Sequence, residues 1–265
     1  RPLRGPCRPV TSLNDRPCLL VTNDDGFDAA GLAALVEAVS RLGRVVVVAP
    51  DRERSGAGHA LTLGRPLRVR SRGEDRFEVD GTPTDCVHLG VFNLTGGRPP
   101  QLVLSGINRG VNLGDDVTYS GTVAAALEGT LLQVPSIALS VERGAEGRAD
   151  YAVAAALAAR LAEKALENGV PRGVLLNVNV PRGTPRGIRI TRQGTRTYRA
   201  AAVERLDPSG RPYFWIAGAD TTPAQEPDGD HAAVREGYVS ITPLHADMTH
   251  DPSRGILAGW GLTLP

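Results

Sequence analysis

The sequence predicts an α/β fold organised on a parallel sheet, and three observations carry that prediction. Leu19-Leu20-Val21-Thr22 and Val45 to Ala49 are short, unbroken apolar runs, the pattern of strands covered on both faces. Between them Leu32, Leu35, Val36, Val39 and Leu42 recur at helical spacing and Gly43 closes the helix, so the chain opens with a strand–helix–strand unit and its right-handed crossover. The length of 265 residues suits one large α/β domain, or a domain with an appendage.

Composition narrows the class. A hydrophobic content of 41% with 22% charged residues is that of an ordinary globular protein. A formal net charge of +1 supplies no field for nucleic acid or a membrane surface, and 4% aromatics leave little for base stacking. No run approaches the 18 apolar residues of a membrane span. Cys7, Cys18 and Cys86 form neither a metal nor a disulfide spacing, and a reducing cytoplasm is the expected location. Residues 1–17 read as a ragged lead without the apolar stretch of a signal peptide.

The remaining elements follow in order. Leu67 to Arg70 and Phe77 to Val79 suggest a hairpin around Gly73. Thr82-Pro83-Thr84-Asp85 has the N-cap, first-turn proline and N3 acid of a capped helix, predicted to run to about Asn93 with Cys86 in the core. Leu102 to Ser105 is a buried strand, followed by a loop from Gly106. Ser120-Gly121-Thr122 opens a helix ending near Leu132, and Ser136 to Ser140 is the next strand. Tyr151 to Glu167 is a long helix with a stripe at Val153, Leu157, Leu161 and Leu166, and Val174 to Val180 a further strand. Beyond Pro181 the chain is predicted to carry short strands at Ile188 to Thr191, Thr197 to Val203, Tyr213 to Ala217 and Tyr238 to Pro243. A polar loop or arm is expected at Gly218 to Gly229, and a terminal helix at Pro252 to Gly259.

Parallel strands share their carboxyl ends, where α/β proteins bind ligands. Asp24 and Asp25 follow the first strand there. Two adjacent carboxylates repel unless a cation compensates them, and their oxygens suit Mg²⁺, Mn²⁺ or Ca²⁺; Asn-Asp-Asp-Gly is also ordinary turn chemistry. The second strand empties into a glycine-rich loop carrying Ser55 and His59, and the Leu102 strand into one carrying Asn108 and Arg109. An asparagine oxygen suits a hard cation and an arginine fork suits phosphate. Ser120, Gly121 and Thr122 at a helix start offer amides to an anion, or simply cap the helix. Asp115 and Asp116 offer a second acidic pair, for which turn or capping roles are the expected use. No dinucleotide fingerprint, P-loop or Gly-x-Ser-x-Gly elbow is present.

Seven collinear segments then resemble the SurE survival-protein family over roughly residues 18 to 260. They are Val21-Thr22-Asn23-Asp24-Asp25-Gly26, Val48 to Gly56, Gly81 to Cys86, Ser105-Gly106-Ile107-Asn108, Asn112 to Val117, Tyr119 to Ala124 and Glu236 to Leu244. The resemblance implies a Rossmann-like three-layer α/β domain over residues 18–181. It implies a β-rich extension over 182–265 (hairpin, arm and terminal helix) that is exchanged between subunits of a homodimer or homotetramer. It implies a phosphatase acting on nucleoside 5′- and 3′-monophosphates with one divalent metal ion per subunit. The ligand positions implied by the resemblance fall on Asp24, Asp25, Ser55 and Asn108, with Asp24 and Asp25 expected to be catalytic; the residue chemistry itself, not the resemblance, directs Asn108, Arg109, Ser120, Gly121, Thr122 and His59 toward the phosphate or substrate. Gly58 and His59 stand where some relatives have a Ser-Asn pair, and Arg109 where a small residue is frequent. A broad acid phosphatase or exopolyphosphatase, or a non-catalytic nucleotide or metal sensor on the same fold, are the alternatives.

Overall fold

The computed structural model describes residues 16–144, 147, 149–223 and 226–264; most of the 1–17 lead lies outside them. The first strand, β1 (Cys18–Thr22), is buried throughout. It pairs in parallel with β2 (Arg44–Pro50) on one side and with β5 (Leu102–Arg109) on the other. Beyond β2 lie β4 (Arg76–Val79), parallel to it, and β3 (Val69–Gly73), which closes the predicted hairpin antiparallel to β4. Beyond β5 the parallel series continues through β6 (Ser136–Val141) and β7 (Val174–Val180). Strand β11 (Val239–His245) then joins antiparallel to β7, and β8 (Ile188–Ile190) pairs parallel to β11. The nine-stranded order is β3-β4-β2-β1-β5-β6-β7-β11-β8. The chain winds outward from β1 to one edge and then resumes on the other side at β5. The crevice between the carboxyl ends of β1 and β5 is therefore the switch point where such sheets bind ligands.

Period-two alternation sends successive strand residues to opposite faces. Leu19 and Val21 pack on one side with Leu32, Leu35 and Val39 of α1 (Ala30–Val39) and with α4 (Ala152–Asn168). Leu20, Val46, Val48 and Val103 pack on the other with Cys86 of α2 (Pro83–Leu89) and Ala125 of α3 (Gly121–Leu131). The result is three layers.

Several expectations need correction. The buried stripe of α4 is alanine, at Ala154, Ala158, Ala162 and Ala165. Leu157, Leu161 and Leu166 only flank the core, and Val153 is exposed. Small side chains let a helix approach the sheet closely, so the deepest positions need not be the largest residues. The capping box of α2 forms at Thr82 and Asp85, but the α-helix stops at Leu89 and a π-helical turn, Gly90–Leu94, completes it. β5 runs through the segment expected to be loop, with a register shift between Ser105 and Asn108; such a bulge re-aims side chains near a strand end. β9 (Arg196–Leu206) and β10 (Pro212–Pro223) pair antiparallel as a separate two-stranded sheet, and β10 replaces the first half of the polar loop expected at Gly218 to Gly229. A short helix, α5 (Asp230–Arg235), was not foreseen, whereas α6 (Asp251–Ala258) lies within a residue of its expected bounds.

Candidate metal and phosphate site

β1 ends at Thr22 and the chain turns at Asn23, which is buried and donates from Nδ2 to the Gly26 carbonyl at 2.8 Å. That closed turn presents two carboxylates at the switch point. Gly26 has φ +101°, and a Cβ on it would lie 3.1 Å from the Arg52 carbonyl carbon. Only glycine suits both the backbone and the close passage of the second loop.

Asp24 points inward and is 5% exposed. Its Oδ1 accepts the Thr122 hydroxyl at 2.5 Å, and its backbone carbonyl accepts the Arg54 N–H at 2.8 Å. Burial pushes the Asp24 carboxyl up to about 6. The Thr122 hydroxyl opposes that rise, the negative Asp25 adds to it, and the Asp24 and Thr122 amides again oppose it. Asp25 is half-buried and accepts the Arg109 N–H at Oδ2, 3.1 Å away. Asn108 donates from Nδ2 to the Gly110 carbonyl at 2.8 Å, which leaves its amide oxygen as a neutral donor. Asp24, Asp25, Asn108 and Arg109 thus share one rim. The second loop is tied to that rim through Arg54, but Ser55 is exposed and its hydroxyl donates to Glu53 Oε1 at 2.7 Å.

The helix start expected to bind phosphate is engaged otherwise. Ser120 Oγ accepts the Val123 N–H at 3.1 Å as the N-cap of α3, and Thr122 serves Asp24. A Cβ on Gly121 would lie 2.8 Å from Asp24 Cβ. The anion at this helix start is the Asp24 carboxylate, and the Asp24 and Thr122 amides offset only part of the cost of its burial. His59 is not held toward the rim either: its Nε2 lies 2.9 Å from Glu128 Oε2 on α3. The Arg109 side chain is exposed and makes no ion pair among the described residues.

Supporting residues beneath the rim escaped the sequence reading. Asn112 donates its N–H to Asn179 Oδ1 at 2.7 Å and accepts at its carbonyl from Asn177 and Asn179 at 2.9 and 3.0 Å. Its side chain donates to Ser140 Oγ at 2.7 Å. The signal was present: Asn177 and Asn179 alternate within the apolar run of β7, marking a polar spot on one strand face. Asp230, fully buried, accepts the N–H groups of Gly114, Gly194 and His231 at 2.8, 3.1 and 2.7 Å. No local pattern announced that role.

The donor chemistry fits a hard cation. A buried carboxylate raised in pKa beside a second carboxylate is relieved by positive charge. Among the described residues no cluster of three or more His, Cys, Asp or Glu side chains stands at metal-holding distance, so a cation here takes two carboxylates and completes its shell with neutral oxygens and water.

The family model described as Survival protein SurE matches residues 19–200. The "5'-nucleotidase SurE" of Geotalea daltonii is 51% identical over 245 residues, covering 91% of this chain and 98% of that one. Its counterpart in Syntrophotalea carbinolica is 52% identical over 246 residues, covering 92% and 98%. The crystal structure of the SurE protein from Aquifex aeolicus superposes with a TM-score of 0.81 at 43% identity, over 92% of this chain and 99% of that one. With the two-carboxylate rim at the switch point of the same fold, the conclusion is direct: the chain belongs to the SurE family.

Proposed function

We propose that this chain hydrolyses nucleoside 5′-monophosphates, and 3′-monophosphates, to nucleoside and inorganic phosphate, using one Mg²⁺ or Mn²⁺ held by Asp24, Asp25, Asn108 and Ser55. The observation that carries the reading is the buried Asp24, raised to about 6 beside Asp25 in the β1–β5 crevice. The relatives named 5'-nucleotidase supply the substrate class. A divalent ion at this place neutralises phosphate oxygens and acidifies a bound water. Asp24, fixed by Thr122 and Gly121, holds its position through the reaction. Asp25 is the more open carboxylate, and its oxygens orient the attacking water. Arg109, free of any ion pair among the described residues, faces the phosphate. Rotation of the Ser55 side chain, on a loop backbone already pinned at Arg54 and Gly58, would turn its hydroxyl from Glu53 to complete the ligand set.

Assembly into a homodimer or homotetramer belongs to the same proposal; since β8 and β11 complete this chain's own sheet, the exchanged part of the segment beyond residue 181 is the β9–β10 hairpin with the terminal helix. It is supported by the β9–β10 hairpin standing outside the main sheet and by exposed Phe214, Trp215 and Trp260. The free, buried Cys18 and Cys86 suit a reducing cytoplasm. Among the described residues no helix is long and apolar enough to cross a membrane.

The test is phosphate release from AMP and GMP across a metal series, with p-nitrophenyl phosphate and tripolyphosphate in parallel. Turnover of the nucleotides with Mn²⁺ or Mg²⁺, abolished by EDTA and by Asp25→Asn, is expected. Stoichiometric nucleotide binding without turnover would make the chain a sensor. Equal rates on all four substrates would make it a broad phosphatase.

A further inference from the structure

Glu128 lies on α3, seven positions beyond Gly121, and is 5% exposed. Each of its oxygens is engaged by a histidine. His59 Nε2 stands 2.9 Å from Oε2, and His88 Nδ1 of α2 stands 3.1 Å from Oε1. Those histidines hold the Glu128 carboxyl below the usual range, His59 contributing most, against the opposing effect of burial. A buried carboxylate is tolerated only with such partners, and this one joins α2, α3 and the second loop at a single point.

The loop is pinned elsewhere too. Arg54 N–H donates to the Asp24 carbonyl at 2.8 Å and Gly58 N–H to the Tyr119 carbonyl at 3.2 Å. Thr62 is bound through its N–H and hydroxyl to Asp85 at 2.8 and 2.6 Å. Between Arg54 and Gly58 stand exposed Ser55 and Gly56, the latter with open space where a Cβ would point. We propose that Glu128 is a positioning residue: through His59 it latches the Ser55 loop to α3, the helix whose start fixes Asp24. Two donors of the metal site are thereby referenced to one rigid helix, and the loop is preorganised before the cation arrives. The inference rests on the metal reading above for its consequence, but the latch itself does not need a metal.

The test measures both. Hydrogen–deuterium exchange of residues 55–60 in metal-free protein is compared with Mn²⁺ affinity by calorimetry. Glu128→Gln is expected to speed exchange of the loop at least fivefold and to weaken Mn²⁺ binding at least fivefold, while kcat on AMP at saturating Mn²⁺ stays within threefold of the parent. His59→Ala should show the same loop exchange, and His59→Asn, which keeps a donor toward Glu128, should fall between. The histidine variants lie on an exposed loop and decide the matter if the helix substitution impairs folding. Unchanged loop exchange overturns the proposal. So does an unchanged Mn²⁺ affinity with a collapsed kcat, which would make His59 a group acting on substrate. A parent protein that neither binds Mn²⁺ nor turns over AMP would strike the functional reading, while the metal-free exchange still judges the latch.

Discussion

At the scale of single residues, Asp24 shows a group whose functional placement opposes stability. Its carboxyl stands near 6 in the fold against 3.8 unperturbed, so the folded chain binds a proton more tightly than the unfolded chain. Asp24 therefore favours folding fully below pH 4, and that contribution is lost as pH rises through 6. The shift corresponds to a penalty on the order of 3 kcal/mol at pH 8 for the metal-free protein. Asp24→Asn removes that penalty but weakens the Thr122 hydrogen bond, a loss of about 1 kcal/mol. Metal-free Asp24→Asn is expected to be more stable than the parent by about 1–2 kcal/mol at pH 8 and equal or less stable at pH 4, with Mn²⁺ affinity lost. Urea melts at the two pH values check it; a variant less stable at both would refute the burial argument. Gly121 is the complementary case. A Cβ there meets Asp24 Cβ at 2.8 Å, so Gly121→Ala should cost about 1–3 kcal/mol by overpacking and weaken metal binding through displacement of the carboxylate, read as lower Tm and a higher Kd for Mn²⁺. Asp24, Asp25 and Asn108 were legible because paired acids and an amide at successive strand ends are a local pattern. The engagement of Thr122 by Asp24 was not, because it joins residues 98 apart in sequence.

Elements read well wherever hydrophobic period and turn chemistry agreed, as at β1, β2, α1 and the capped start of α2. They read poorly where tertiary pairing overrode composition. Gly106 to Arg109 looks like loop, yet pairing with β6 extends β5 through it, and this places Asn108 and Arg109 on the sheet rather than on a free loop. Residues 218–223 look polar and mobile, yet they pair with β9. α5 is six residues long and draws little from helix propensity; its place is fixed by Asp230, which accepts from its neighbour His231 and ties the helix to two distant segments, at Gly114 and Gly194. Asp230→Ala would leave three backbone donors without that acceptor in a buried setting. At about 1–3 kcal/mol for each unsatisfied group, the loss should be at least about 3 kcal/mol. Thermal melting measures it, and a loss under 1 kcal/mol would show that water replaces the carboxylate.

For the whole molecule, the sheet and its two helical layers account for the large buried side chains, but not for the apolar surface that remains. Phe214 and Trp215 on β10 are 59% and 64% exposed, and Ile256 and Trp260 at the terminal helix 65% and 64%. Isolated apolar residues on a surface are commonplace, but large side chains this exposed on both β10 and the terminal helix are candidates for an association surface. Among the described residues the β9–β10 hairpin has no third strand, and a two-stranded ribbon is marginal in water unless something packs on it. Pairing with a second copy would supply that packing, and a stable interface needs burial of about 1,200–2,000 Å². The protein is accordingly expected to run as a dimer or tetramer in light scattering after gel filtration. Phe214→Asp combined with Trp260→Asp should shift it toward monomer, with the far-UV circular dichroism of the main domain kept. Because Asp24, Asp25 and Asn108 are brought together by β1 and β5 within one chain, Mn²⁺ affinity should change less than threefold on dissociation. A monomer that loses the metal altogether would mean that the rim depends on its neighbour.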